Sequence, residues 1–249
     1  MRTIDLNCDL GEGFPHDAEL MPLISSANIA CGAHAGDTAT MALTVALAKQ
    51  HGVAIGAHPG FADRENFGRR ELPISPGDAG DLVRAQIRAL QEIAREQGAV
   101  VRHVKLHGAL YNLAARDATL AEAVVRAVAA AEGRPGLFVL AGSALERIAR
   151  AHGIFFVAAE IFADRTYQRD GSLTPRSRAD ALIRDEEMAV AQVLRIVREG
   201  VVTATDGTDV ALHADTVCLH GDGAHAVEFA RRLHRDLRAA GVAIKACGA

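Results

Sequence analysis

The chain has 249 residues, 49% of them hydrophobic and 23% charged, with a formal net charge of -4. That length suits one large α/β domain over 1–249, and the mix is that of a soluble globular protein. The weakly acidic balance gives no basis for nucleic-acid or anionic-membrane binding; the polar start MRTIDLNCDLGEG holds no signal-peptide core, and no apolar run nears the roughly 20 residues of a bilayer span.

Short β-rich runs at 3–8, 28–31, 53–58, 101–107, 137–141, 155–162 and 216–220 alternate with alanine-rich stretches at 38–51, 77–97, 117–132, 143–152, 178–199 and 223–240. Each helical stretch ends on a glycine (Gly52, Gly98, Gly133, Gly153, Gly200, Gly241), and a new strand starts soon after it. Repeated βα units predict a parallel sheet with right-handed crossovers. Within 201–212, VVTAT, then Asp206-Gly207, then VAL predicts an added β-hairpin.

Side-chain alternation separates an open sheet from a barrel. Strands of an open sheet covered on both faces read as nearly continuous hydrophobics. Here Asp5, Asn7 and Asp9 share one face of the first strand, and His103, Lys105 and His107 one face of the fourth. Glu160 with Asp164, and His220 with Asp222, repeat the pattern later. Polar faces that avoid the helices must converge on a lumen, so the expectation is an irregular barrel of about seven strands.

Asp9, Glu12, His34, His58, His107, Glu160, Asp164, Arg165, His220 and Asp222 fall at or just beyond C-terminal strand ends, where βα loops build barrel active sites. A single buried His or Asp is more often structural, but ten at one end of several strands mark an enzyme site. Asp37, after GAHAG, reads foremost as a helix cap. Arg69 and Arg70 offer paired guanidiniums for a carboxylate or phosphate, with a solvated basic turn as the plain alternative. Lys105, one of three lysines, lies mid-strand on the polar face, and a carboxylate (Asp5, Asp9 or Glu160) is expected to neutralise it. No GxxxxGK[ST] phosphate loop and no GxSxG elbow occurs. The four cysteines are scattered without a CxxC pair, which predicts reduced thiols and a cytoplasmic protein.

DLNCDLGEGF (5–14), NIACGAHAGD (28–37), GAHPGFADRENFGRREL (56–72), VKLHGALYN (104–112), EIFADRTY (160–167), DGSLTPRS (170–177) and CLHGD (218–222) together resemble the LamB/YcsF family, in order over nearly the whole chain. Ala33, Leu106 and Asn66 depart from that pattern, standing where an aromatic, a proline and a glycine are usual; none removes an ionisable motif residue. The resemblance implies a seven-stranded βα barrel of the glycoside hydrolase/deacetylase type. It also implies ATP-dependent opening of 5-oxo-L-proline to L-glutamate, with separate B and C subunits as partners and ATP as co-substrate. In that scheme Asp9, Glu12, His34, His58, His107 and Glu160 are candidates for acid–base work. Asn7, Arg69, Arg70, Lys105, Arg165, His220 and Asp222 are candidates for holding substrate or phosphate. Without a phosphate loop, the partner subunits are expected to carry the phosphorylation. Two alternatives stay open: a metal-dependent deacetylase or amidohydrolase using a divalent metal at the Asp/His set, and a passive lactam-binding component.

Overall fold

The first strand, β1 (Arg2–Leu10), sets the pattern for the whole molecule. In the computed structural model, which describes residues 2–220 and 225–248, Ile4 through Leu10 are all buried. Period-two alternation sends Ile4, Leu6, Cys8 and Leu10 outward to a helical layer and Asp5, Asn7 and Asp9 inward. The strands β2 (Ser26–Ala30), β3 (Ala54–His58), β4 (Val101–Lys105), β5 (Gly136–Leu140) and β6 (Val157–Phe162) follow, each parallel to the last. After β7 (Val201–Thr203) and β8 (Asp209–Ala211), β9 (Thr216–His220) pairs with β6 and back onto β1. Asp5 lies opposite Thr216 and Asp9 opposite His220, so seven parallel strands close a barrel. The expected hairpin is β7–β8, antiparallel and outside the barrel.

The helices are α1 (Asp17–Leu20), α2 (Thr38–His51), α3 (Pro76–Glu96), α4 (Gly108–Arg116), α5 (Ala118–Ala129), α6 (Ala144–Ala151), α7 (Glu186–Glu199) and α8 (Ala226–Ala239). Side-chain caps fix several starts: Asp37 accepts from Thr40 N (2.8 Å), and Asp117, Ser143 and Asp185 do the same for α5, α6 and α7. Asp37 is therefore a helix cap, as expected. α3 buries Val83, Ile87, Leu90 and Ala94, the repeat of one helical face. All six helix-ending glycines named above adopt positive φ.

Four elements depart from the sequence-based expectation, the first being the single turn α1, where no helix is predicted. α4 has no counterpart among the predicted helices, and a glycine at its start is a poor helix signal. Gly108 nonetheless opens the helix at φ 56°, where an added Cβ would lie 2.6 Å from Gly68 O. The helix expected over 178–199 starts only at α7, since residues 163–185 form a loop with isolated bridges Arg165–Leu182 and Tyr167–Leu173. A short strand, β10 (Val242–Ile244), adds parallel to the start of β1. Between β3 and β4 the register shifts at Ile55/Gly56. There the His103 ring occupies the place of a side chain on Gly56, whose Cβ would fall 2.1 Å from His103 Nε2.

Candidate active site

The inward-facing residues stack in layers along the barrel axis. In the middle layer Asn7 Nδ2 donates to Glu160 Oε1 (3.0 Å) and Thr216 Oγ1 (2.7 Å), while Asn7 Oδ1 accepts from Asn28 Nδ2 (2.7 Å). His103 Nε2 lies 2.8 Å from Asn28 Oδ1, and its ring stacks on Phe138 at 4.1 Å. Burial, helped by the charge of Lys105, pulls His103 down to about 3, so it is a neutral donor to the amide oxygen. This layer fixes the carboxylates above it.

Lys105 is 2% exposed, and its Nζ lies 2.8 Å from Asp9 Oδ1, 2.9 Å from Glu160 Oε1 and 2.9 Å from Cys218 Sγ. Burial alone would lower its pKa, but Asp9 and Glu160 hold the ammonium well above its ordinary range. Burial would likewise raise Asp9, yet His58 and Lys105 keep its carboxyl well below the usual range. The expected ion pair is therefore made with Asp9 and Glu160 and not with Asp5, which sits at the floor beneath the Asn7 layer. Tyr111 on α4 donates to Glu160 Oε2 (2.7 Å), and burial followed by Glu160 pushes the phenol far above its ordinary value.

The mouth carries the histidines. His58 Nδ1 is 2.8 Å from Lys105 O, and its Nε2 is 3.3 Å from Asp9 Oδ2. His107 Nε2 is 2.9 Å from Phe67 O, and its Nδ1 is 2.9 Å from His58 Nε2. Glu12 Oε1 stands 3.3 Å from His34 Nε2, 3.3 Å from His107 Nδ1 and 3.9 Å from His58 Nε2. The His34 ring stacks on His107 at 3.8 Å. Burial, then the neighbouring His58, lowers His34 to about 3 and His107 well below its usual value.

Above these groups opens a cavity of about 430 Å³, the size of a small-molecule site, lined by Asp9, Glu12, His58, Lys105, His107, Tyr111 and His220. Arg69, Arg116 and Arg176 ring its rim. The structure thus gathers Asn7, Asp9, Glu12, His34, His58, Lys105, His107 and Glu160 in or directly beneath the mouth. His220 borders the cavity and pairs with Asp164 (2.9 Å). Arg165 borders it too, but Nε faces Ala181 O (3.3 Å) and an NH2 group donates to Thr174 O (2.6 Å), so this side chain ties down the 163–185 loop. Arg70, 61% exposed and 3.4 Å from Asp63, is not among the residues that line this cavity. Asp222 lies outside the described residues. Tyr111, Cys218, Arg116 and Arg176 belong to the site without having been expected there. Tyr111 had a signal, since it follows His107 by four residues and so returns to the same helical face once α4 is recognised.

A profile of the LamB/YcsF family matches residues 4–249. The chain is 54% identical over 250 residues to the A subunit of 5-oxoprolinase from Geobacillus kaustophilus (strain HTA426), covering 99% of this chain and 97% of that one. It superposes on the crystal structure of the lactam utilization protein from Thermus thermophilus with a TM-score of 0.91 and 45% identity, over 98% and 99% of the two chains. A T48 deacetylase shares the fold alone, with a TM-score of 0.52 and 12% identity over 98% of this chain and 87% of that one. The chain belongs to the LamB/YcsF family.

Proposed function

We propose that this chain is the A subunit of a cytoplasmic 5-oxoprolinase, which opens 5-oxo-L-proline to L-glutamate at the expense of ATP together with B and C subunits. The observation that carries the reading is end-to-end identity above one half with a protein named for that role. The site agrees with it chemically. A lactam is resonance-stabilised, so its carbonyl carbon must be made electrophilic before water attacks. Transfer of the γ-phosphoryl group of ATP to the lactam oxygen, releasing ADP, gives a phosphorylated imidate. Water adds to that carbon and loses a proton to a base, the C–N bond breaks, and the nitrogen takes a proton. The resulting acyl phosphate is hydrolysed by a second water to glutamate and phosphate.

Each requirement has a group on the cavity wall. Glu12 and the neutral imidazole of His107 are bases within reach of a water in the mouth, with the ring of His34 stacked on His107 beside them. Lys105, held charged between Asp9 and Glu160, presents an ammonium to oxygen that gains charge during attack. Arg69, Arg116 and Arg176 face incoming carboxylate or phosphate at the rim. The chain has no phosphate loop, so the phosphoryl donor is assigned to the partner subunits. One observation favours a second reading, metal-assisted amide hydrolysis without a nucleotide: Glu12, His34, His58 and His107 offer four donor atoms within 4.8 Å of one another. No helix among the described residues is long and apolar enough to cross a membrane.

The test is formation of glutamate and ADP from 5-oxoproline by the purified chain alone and reconstituted with B and C subunits. Stoichiometric glutamate and ADP only in the reconstituted mixture is expected. Glutamate formation by the chain alone without nucleotide would replace this reading with the metal-assisted one.

A further inference from the structure

We infer that His220 is the acid that delivers a proton to the departing lactam nitrogen, with Asp164 as its positioning residue, a role that rests on the ring-opening reaction proposed above. That reaction needs such a group. Once water has added, one carbon carries a hydroxyl, a phosphate and the ring nitrogen. Phosphate departs as a weakly basic anion, whereas an amine departs only after it has been protonated. Without an acid aimed at nitrogen the adduct expels phosphate and returns the lactam, and ATP is hydrolysed with no ring opened.

Three imidazoles line the cavity, and their hydrogen bonds set one apart. His58 turns Nδ1 to Lys105 O and Nε2 to Asp9, and His107 turns Nε2 to Phe67 O and Nδ1 to His58. His220 engages Nδ1 alone. The Asp164 carboxylate lies 2.9 Å (Oδ2) and 3.1 Å (Oδ1) from that nitrogen, and Nε2 has no protein partner among the described residues. Burial would raise the Asp164 carboxyl, yet His220, followed by Arg176 and Arg165, holds it below its ordinary value. An ionised carboxylate only accepts, so Nδ1 carries a hydrogen and Nε2 is the nitrogen free to give or gain one. A carboxylate that orients an imidazole and balances its charge, while the opposite nitrogen moves the proton, is a proven acid–base arrangement.

The backbone around Asp164 is held from several sides. Ile183 N donates to Asp164 O (2.8 Å), Gln192 Nε2 donates to Arg165 O (2.9 Å), and Arg165 reaches the carbonyls of Ala181 and Thr174. The carboxylate is thereby fixed in place beside the ring. The His220 ring stacks on Phe162 with centroids 5.7 Å apart, and Lys105 Nζ stands 5.5 Å from the centre of the same phenyl ring. An ammonium for the oxygen and an imidazole for the nitrogen therefore share one aromatic platform. The base His107 lies across the mouth. It follows β4 while His220 ends β9, with β5 and β6 between them on one side of the barrel and β3, β2 and β1 on the other. Water can lose its proton on one side of the carbon while nitrogen gains one from the other.

In the step itself the amine nitrogen of the adduct takes the hydrogen from Nε2 of the charged ring. The C–N electron pair leaves with nitrogen, and the hydroxyl gives its proton to the base as C=O forms. The products are an acyl phosphate and a primary amine. His220 is left neutral with its remaining hydrogen on Nδ1 against Asp164, and a proton from cavity water restores it.

The test uses the reconstituted complex with 5-oxoproline and ATP in ¹⁸O-labelled water, and follows glutamate, ADP and label in the recovered 5-oxoproline together. Wild type should form glutamate and ADP in equal amounts and leave the recovered lactam unlabelled. His220→Gln should lose at least about 100-fold in glutamate formation while ADP continues to form. ADP then exceeds glutamate, and ¹⁸O enters the recovered 5-oxoproline as the adduct collapses backward. Asp164→Asn, which keeps the ring, should move the ratio and the label in the same direction by a smaller factor, and it takes the place of His220→Gln if that variant does not fold. Loss of ADP and glutamate in step would assign His220 to holding substrate or phosphate and overturn the role, as would a folded His220→Gln with the wild-type rate. A wild-type complex that forms no glutamate contradicts the reaction itself, and is thereby told apart from a failure of His220 alone.

Discussion

The two ends of the barrel are both polar and both buried, yet they are built on opposite principles. At the floor, Asp5 accepts from Ser25 Oγ (2.6 Å), Ser26 Oγ (2.7 Å) and the Thr216 hydroxyl. That carboxylate is answered by three neutral hydroxyls, with no ammonium or imidazole among its hydrogen-bond partners. At the mouth, carboxylates, an ammonium and three imidazoles face one another around an open cavity, and two imidazole nitrogens face each other at 2.9 Å. Buried polarity by itself therefore does not mark a site. What marks one is bonding capacity that the protein's own groups do not exhaust.

Two changes would break or sharpen that contrast. The largest effect belongs to Lys105→Met, which strands Asp9 and Glu160 in the mouth. Removing one member of a buried ion pair costs about 3–5 kcal/mol, and turnover of the reconstituted enzyme should fall at least about 100-fold with it. Thermal melts and steady-state rates on the one variant read both. A variant as active and as stable as wild type would mean that the ammonium contributes to neither.

Asp5→Asn probes the floor, where the effect is on stability alone. Burial, offset in part by the hydrogen bonds from Ser25, Thr216 and Ser26, raises the Asp5 carboxyl to about 6 from an ordinary 3.8. The folded state thus binds this proton more tightly than the unfolded chain does. Stability from this group falls as pH rises from about 4 to about 6, and the cost is fully present above that range, at about 3 kcal/mol. Relative to wild type, Asp5→Asn should gain stability between pH 5 and pH 7.5, with turnover unchanged. Denaturant melts at the two pH values measure the difference, and a relative loss over that interval would show that the ionised carboxylate stabilises the floor.

Much of this was legible in the sequence because strands write their two faces in alternate residues. Asp5, Asn7 and Asp9 opposite Ile4, Leu6 and Cys8 identify both the lumen and the helical layer without a structure. The stacking of His34 on His107 and the approach of His107 to His58 were not legible, since they join residues on different strands. The role of Arg165 was hidden for a related reason: its partners are backbone carbonyls at 174 and 181, which carry no side-chain signature. Arg69 and Arg70 show how little separates site from surface in a loop. One residue apart, the first faces the cavity and stacks its guanidinium over Phe67 at 4.9 Å, while the second turns to solvent and Asp63. Gly108 misleads in the other direction, because its close approach to Gly68 O is a demand of tertiary packing and leaves no local trace.

The central claim is that ring opening takes place at the mouth, among His34, His58 and His107. The most direct measurement is the rate of glutamate formation from 5-oxoproline by the reconstituted complex carrying His107→Ala, beside wild type, with the variant's fold checked by its thermal melt. The account predicts a folded variant that still assembles with its partners and loses at least about 100-fold in turnover. A folded, assembled variant that forms glutamate at the wild-type rate would place the chemistry elsewhere.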